Sequence, residues 1–128
     1  MPGWRMLVVE DDRVTRNALQ RLFERRGWDV LVAATVAEGL AQLDPPPDCL
    51  ILDLMLPDGD GAEVLRTVRA QGLPTKVAVC TGTGDADRLA EVASMNPEAL
   101  LRKPVALADV VLACGCKGPN GVRPQSPG

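Results

Sequence analysis

The chain has 128 residues, the length of one domain with a core large enough to fold alone. Hydrophobic residues make up 46% and charged residues 24%, a balance that excludes disorder throughout and a collagen-like fibre. Lys plus Arg number 14 and Asp plus Glu 17, and the net charge of −3 excludes a protein that coats nucleic acid by bulk charge.

Met6-Leu7-Val8-Val9 is a short apolar run of strand character, followed at once by Glu10-Asp11-Asp12. From Val14 the spacing turns helical, with Val14, Ala18, Leu19, Leu22 and Phe23 as the predicted apolar face. Arg25-Arg26-Gly27 closes that helix with cations and a glycine stop. Val30–Ala33 is the second predicted strand. Thr35, with Glu38 three residues on, predicts a capped helix running to about Leu43, ahead of Pro45-Pro46-Pro47. Cys49-Leu50-Ile51-Leu52 is continuously apolar, as a strand buried on both faces requires, and it ends at Asp53. Pro57-Asp58-Gly59-Asp60-Gly61 is dense in turn residues and predicts a loop. Ala62, Val64, Leu65 and Val68 outline the next helix, ending near Gly72. Val77–Cys80 is the fourth strand, leading into Thr81-Gly82-Thr83-Gly84. Asp85 is placed to cap a helix through Ser94. Ala99-Leu100-Leu101 is a weaker fifth strand before Arg102-Lys103-Pro104, and a last helix spans Leu107 to Cys114. Residues 115–128 hold four glycines and three prolines, the composition of a flexible tail or linker.

Strand and helix alternate five times, with connections suited to helical crossovers. The expected fold class is α/β, a doubly wound parallel sheet with helices on both faces. In such folds ligands bind beyond the carboxyl ends of the strands. The polar residues at those ends are Glu10, Asp11 and Asp12, then Asp53, then Thr81, then Lys103.

Several residue types are missing. Without histidine there is no Ser-His-Asp or Cys-His arrangement and no His-ligated metal. Aromatics are 2%, too few for a stacking platform on single-stranded nucleic acid. Cys49 and Cys80 sit in apolar runs and read as small hydrophobes, while Cys114-Gly115-Cys116 offers two thiols, short of a four-ligand zinc set. No run approaches the roughly 20 apolar residues of a membrane span, and the first residues lack the apolar stretch of a signal peptide. The expected location is the cytoplasm, with reduced thiols.

Carboxylates that converge in one cleft repel one another unless a cation neutralises them. All-oxygen ligands select Mg2+, which also takes waters and phosphate oxygens. A lysine opposite can pair with the acids at rest and with a phosphoryl group later. A carboxylate can itself attack phosphorus to form an aspartyl phosphate. The parts are those of a phospho-acceptor aspartate site.

The chain resembles a receiver domain of the two-component response-regulator family over about Arg5 to Ala113. The motifs are Leu7-Val8-Val9-Glu10-Asp11-Asp12, Leu52-Asp53-Leu54-Met55-Leu56-Pro57-Asp58-Gly59-Asp60-Gly61, Thr81-Gly82 and Lys103-Pro104. The resemblance implies a flavodoxin-like (βα)5 fold of five parallel strands in the order 2-1-3-4-5, with a receiver domain over 1–114. It implies that Asp53 is phosphorylated by a histidine kinase, a phosphotransfer protein or a small phosphodonor. Glu10, Asp11 and Asp53, with the backbone carbonyl of Met55, would hold Mg2+, and Asp12 would be an adjacent, less essential acid. Thr81 would be the switch hydroxyl and Lys103 the site lysine, with a cis bond to Pro104. The implied protein is a signalling switch rather than an enzyme. It would control a downstream output domain or protein, with no direct contact to nucleic acid or membrane, as a monomer or a phosphorylation-dependent homodimer. No DNA-binding segment follows in this sequence, so the chain is expected to be a stand-alone receiver or part of a longer protein.

Two positions depart from the family pattern. Leu100 stands where receivers usually carry Tyr or Phe, and Leu107–Cys114 gives only about 12 Å of last helix. Leu100 motivates an alternative, a pseudo-receiver that binds partners without phosphorylation. A phosphohydrolase would need a second acid two residues after Asp53, where Met55 stands and cannot transfer protons. Plainer readings apply elsewhere: Asp58 and Asp60 as turn residues, Arg5, Arg13 and Arg16 as a solvated face, Arg66 and Arg69 as surface charges. No P-loop or dinucleotide fingerprint is present.

Overall fold

The structure, a computed structural model, describes residues 4–114. Its elements are β1 (Arg5–Val9), α1 (Arg13–Arg25), β2 (Asp29–Ala33), α2 (Val36–Ala41), β3 (Cys49–Asp53), β4 (Met55–Leu56), β5 (Gly59–Asp60), α3 (Ala62–Ala70), β6 (Lys76–Thr81), α4 (Ala86–Ala93), β7 (Ala99–Arg102) and α5 (Leu107–Ala113). The five long strands form one parallel sheet in the order β2-β1-β3-β6-β7. Counting those five alone, the order is 2-1-3-4-5, as expected. The chain runs outward from β1 in both directions, so the reversal of order falls between β1 and β3.

Alternate residues of each strand enter opposite cores. Leu7, Val9, Leu50, Leu52, Val77 and Val79 pack on one face against Val64, Leu65 and Val68 of α3 and Val92 of α4. Met6, Val8, Ile51 and Cys80 pack on the other against Leu19 and Phe23 of α1 and Val110 of α5. This two-sided burial explains why β1, β3 and β6 read as unbroken apolar runs.

The apolar face of α1 is narrower than the spacing predicts. Leu19 and Phe23 are buried, but Val14 is 77% exposed and Ala18 faces solvent. At about 100° per residue these two lie roughly 140° and 100° around the helix from Leu19. Gly27 follows in the left-handed region at φ 92°, with its amide and that of Trp28 donating to Glu24 and Phe23 carbonyls. The Thr35 cap forms as expected, its hydroxyl accepting from the Glu38 amide at 3.0 Å while Glu38 reaches back to the Ala34 amide at 2.8 Å. The helix it starts stops at Ala41, short of Leu43. The segment read as a loop is partly a hairpin, with Met55 opposite Asp60 and Leu56 opposite Gly59. Strands of two residues carry no periodicity to read. The Lys103–Pro104 bond is cis, and so is Asp44–Pro45. The predicted tail and Cys116 lie outside the described residues. Cys49 and Cys80 are buried in the core, as their surroundings predict.

Candidate functional site

Three strand ends deliver the central groups. Glu10 follows β1 and is 3% exposed, and Asp53 ends β3 and is 4% exposed. Lys103 follows β7, with its backbone amide fixed to the Thr81 carbonyl at 2.8 Å. Its ammonium donates to Glu10 Oε1 at 2.9 Å and to Asp53 Oδ2 at 3.1 Å. One cation is therefore shared by two buried carboxylates. The second oxygen of each acid is held by backbone, Glu10 Oε2 by the Asp12 amide and Asp53 Oδ1 by the Met55 amide, both at 3.1 Å.

Asp11 is exposed, and carboxylate oxygens of Glu10, Asp11 and Asp53 lie within 4.8 Å of one another. Burial pushes the Glu10 carboxyl up to about 7, and its contact with Asp53 acts in the same direction, against the pull of Lys103. Burial alone would lower the Lys103 ammonium, but its bonds to Glu10 and Asp53 outweigh this and raise it. An oxygen-only set with excess negative charge suits a hard divalent cation. Metal ligation by the Met55 carbonyl rests on the resemblance. Met55 itself donates its amide to Asp53 and is 62% exposed.

Thr81 is fully buried at the end of β6, one residue past Cys80, the register partner of Asp53. Its hydroxyl oxygen accepts from the Thr83 amide at 3.1 Å, which leaves the O–H to donate elsewhere. Behind Lys103, a cavity of about 520 Å³ separates α1 from α5, walled by Leu19, Cys80, Leu107 and Val110 and reaching Glu10 and Asp53. Burial pushes the Cys80 thiol up to about 12, so it is an inert wall residue.

Several supporting residues do more than the sequence suggests. Asp12 caps α1, accepting from the Thr15 amide at 2.9 Å and from its hydroxyl, and this hydroxyl contact first among its neighbours holds its carboxyl below the usual range. Arg16 is not simply solvated: its guanidinium donates to the Glu10 and Asp11 carbonyls at 3.0 and 3.3 Å. Asp58 reaches across to accept from the Val36 and Ala37 amides at 2.8 and 3.1 Å, and these bonds lower its carboxyl. Asp60 pairs with Arg88 of α4 through both carboxylate oxygens. Burial pushes the Asp60 carboxyl up, but Arg88 and the Ala62 amide outweigh it and hold it low. Arg69 donates to the Met95 and Asn96 carbonyls beyond α4 and pairs with Glu98. Gly61 lies so close to the end of β3 that a Cβ there would stand 2.0 Å from the Asp53 carbonyl oxygen. Only glycine fits that approach. The Asp60–Ala62 bond at a helix start was open to sequence reading; the contacts of Asp58, Arg69 and Arg88 span 21 to 29 residues and were not.

The sequence profile of the response regulator receiver domain matches residues 6–114. The acid tolerance regulatory protein ActR of Rhizobium meliloti is 35% identical over 88% of this chain and 58% of its own length. The transcriptional regulatory protein TrcR of Mycobacterium tuberculosis is 36% identical over 84% of this chain and 42% of its own length. The chain thus spans about half the length of these curated relatives. Among solved structures, a CheY-like receiver domain protein from Methanospirillum hungatei superposes with a TM-score of 0.80 at 27% identity, covering 87% of this chain and 90% of that one. A receiver domain protein from Clostridium thermocellum superposes at 0.78 with 28% identity, covering 88% and 91%.

Proposed function

Because this chain belongs to the response regulator receiver family of two-component signalling, we propose that it is a phosphorelay switch whose acceptor is Asp53. The observation that carries this reading is the meeting of Glu10, Asp53 and Lys103 from three strand ends. The donor is a histidine kinase, a phosphotransfer protein or a small phosphodonor. An Asp53 carboxylate oxygen attacks phosphorus and forms the new P–O bond as the bond between phosphorus and the donor breaks, the donor's leaving atom (the imidazole nitrogen of a phosphohistidine or the oxygen of a small acyl phosphate) taking the electron pair.

Asp53 Oδ1 is steadied by the Met55 amide during approach. Lys103 already touches Oδ2 and can follow the charge onto a phosphoryl oxygen. The Thr81 O–H is placed one strand over to donate to another. Mg2+, held by Glu10, Asp11, Asp53 and the Met55 carbonyl, would supply the remaining positive charge when bound. The phosphorylated state then alters a surface read by an output domain or protein. The named relatives are regulatory proteins, and the proposed switch would work in the cytoplasm as a monomer or a phosphorylation-dependent dimer. Among the described residues no helix is long and apolar enough to cross a membrane.

Intact mass after incubation with Mg2+ and a small phosphodonor tests the assignment. One phosphoryl group should be gained by the parent and none by Asp53→Asn. Normal incorporation in the variant would reject it.

A second reading, a pseudo-receiver, rests on Leu100, which is half-buried against the core at the position where the family resemblance implies an aromatic ring. Equal partner affinity with and without a phosphoryl mimic would favour it.

A further inference from the structure

The acceptor carboxylate is linked to α4 by a short chain of contacts that contains no aromatic ring. Arg88, in the first turn of α4, donates from Nη1 to Asp60 Oδ2 at 2.7 Å and from Nη2 to Asp60 Oδ1. A two-bond guanidinium–carboxylate pair fixes orientation as well as distance. Asp60 is in β5, directly opposite Met55 of β4. The Met55 amide in turn donates to Asp53 Oδ1 at 3.1 Å. The turn of the same hairpin is fixed to the start of α2 through Asp58. Any movement of α4 that carries Arg88 therefore pulls on a hairpin whose turn is anchored, and the pull is transmitted across the Asp60–Met55 pair to the amide that holds Asp53.

We infer that Arg88 is a positioning residue for the phospho-acceptor: through Asp60 it sets the hairpin whose Met55 amide orients Asp53. The inference rests on the receiver reading for its functional meaning, but the link itself is a property of the resting fold. Coupling between two sites is reciprocal. A phosphoryl group that draws the Asp53 oxygens away from Met55 loosens the Asp60–Arg88 pair and releases the start of α4. With Leu100 in place of a ring, this chain supplies a physical route from the acceptor to α4. The rest of α4 and the turn after it are held to α3 by separate contacts, Arg66 to Glu91 at 3.6 Å and Arg69 to the carbonyls of Met95 and Asn96.

The test is amide hydrogen exchange at Met55, read by NMR in the unphosphorylated chain, with phosphoryl incorporation measured in parallel. Arg88→Ala should speed exchange at Met55 by about five-fold, the size expected for losing a half-exposed two-bond pair. Val8, deep in β1, should not change. Arg88→Lys keeps the charge and one donor and should restore part of the protection. Asp60→Asn, which keeps an oxygen for the Ala62 amide, should reproduce the Arg88→Ala effect. Incorporation should slow in the same order. On adding beryllofluoride, α4 amides should change exchange in the parent but not in Arg88→Ala.

Parent-like Met55 exchange in Arg88→Ala overturns the inference, even with normal phosphorylation. If the parent accepts no phosphoryl group yet Arg88→Ala exposes the Met55 amide, the link stands and the receiver reading fails.

Discussion

The two ends of the parallel sheet use polar groups differently. At the amino end they are paired locally and mostly without net charge. The Arg5 amide donates to Asp48, its guanidinium to the Pro45 carbonyl, and the buried Thr75 hydroxyl to the Pro47 carbonyl. Trp28 sits edge-on between Trp4 and Phe23, with ring centres 6.0 Å apart in each pair. At the carboxyl end Glu10 and Asp53 are as buried as core leucines, yet they share one lysine. A fold selected for stability alone has no reason to keep two such acids together. The difference teaches that this sheet is closed by packing at one end and left charged at the other, where the proposed chemistry would need it.

Breaking the amino end should therefore cost stability and spare the site. Phe23 is 1% exposed between Trp28 and the sheet. Phe23→Ala should destabilise the chain by about 3–5 kcal/mol. Chemical denaturation gives that number, and calorimetry should show Mg2+ affinity unchanged under folding conditions. A parallel loss of Mg2+ affinity would mean that the two ends are not separable.

Gly61 sharpens the contrast at the carboxyl end. Its missing side chain admits the Asp53 carbonyl, and a Cβ would overlap it at 2.0 Å. Gly61→Ala should cost about 1–3 kcal/mol of overpacking strain, and here phosphoryl incorporation should fall with stability because the displaced backbone carries the acceptor. Normal incorporation rates in a destabilised Gly61→Ala variant would show that the acceptor tolerates movement of its own strand.

Much of this division is legible in the sequence. Continuous apolar runs locate β1, β3 and β6, and the residue ending each run or just beyond it is a candidate site residue: Glu10, Asp53, Thr81. The short hairpin is not legible, because two residues have no period. Nor are the tasks of Arg16, Arg69 and Asp58. Each has a composition that suits a solvated surface, and each spends its charge on backbone groups of another segment. Sequence spacing reports contacts within a helix or strand; these contacts depend on how the segments are brought together.

The excess charge at the carboxyl end should also show in pH dependence. Without metal the Glu10 carboxyl is raised to about 7 from an ordinary 4.5. The folded chain then holds that proton more tightly than the unfolded chain does. Between pH 4.5 and 7 rising pH removes this contribution to stability, and above 7 it is gone. A divalent cation needs the proton removed, so Mg2+ affinity should fall by about tenfold per pH unit below that value and level off above it. Calorimetric titration from acid to neutral pH measures this directly. A flat affinity across that range would place Glu10 outside the metal set. Glu10→Gln, which cannot titrate, should flatten the profile.

The smallest expected effect concerns the lifetime of the phosphorylated state. Met55 and Thr83 stand two residues past the candidate site residues Asp53 and Thr81, where the family resemblance puts the path of attacking water, and Met55 is 62% exposed. A thioether accepts hydrogen bonds only weakly and cannot orient an attacking water, and a threonine does so less well than an amide or acid. Self-dephosphorylation should therefore be slow. Met55→Asn introduces an amide without disturbing the backbone N–H that holds Asp53. It should shorten the phosphoryl lifetime by a few-fold while leaving stability unchanged, because the native side chain is already in solvent. Loss of phosphate followed by intact mass gives the rate. An unchanged rate would mean that water is excluded by the fold around Asp53 rather than by the side chain at 55. The long lifetime would then belong to the buried carboxyl end as a whole.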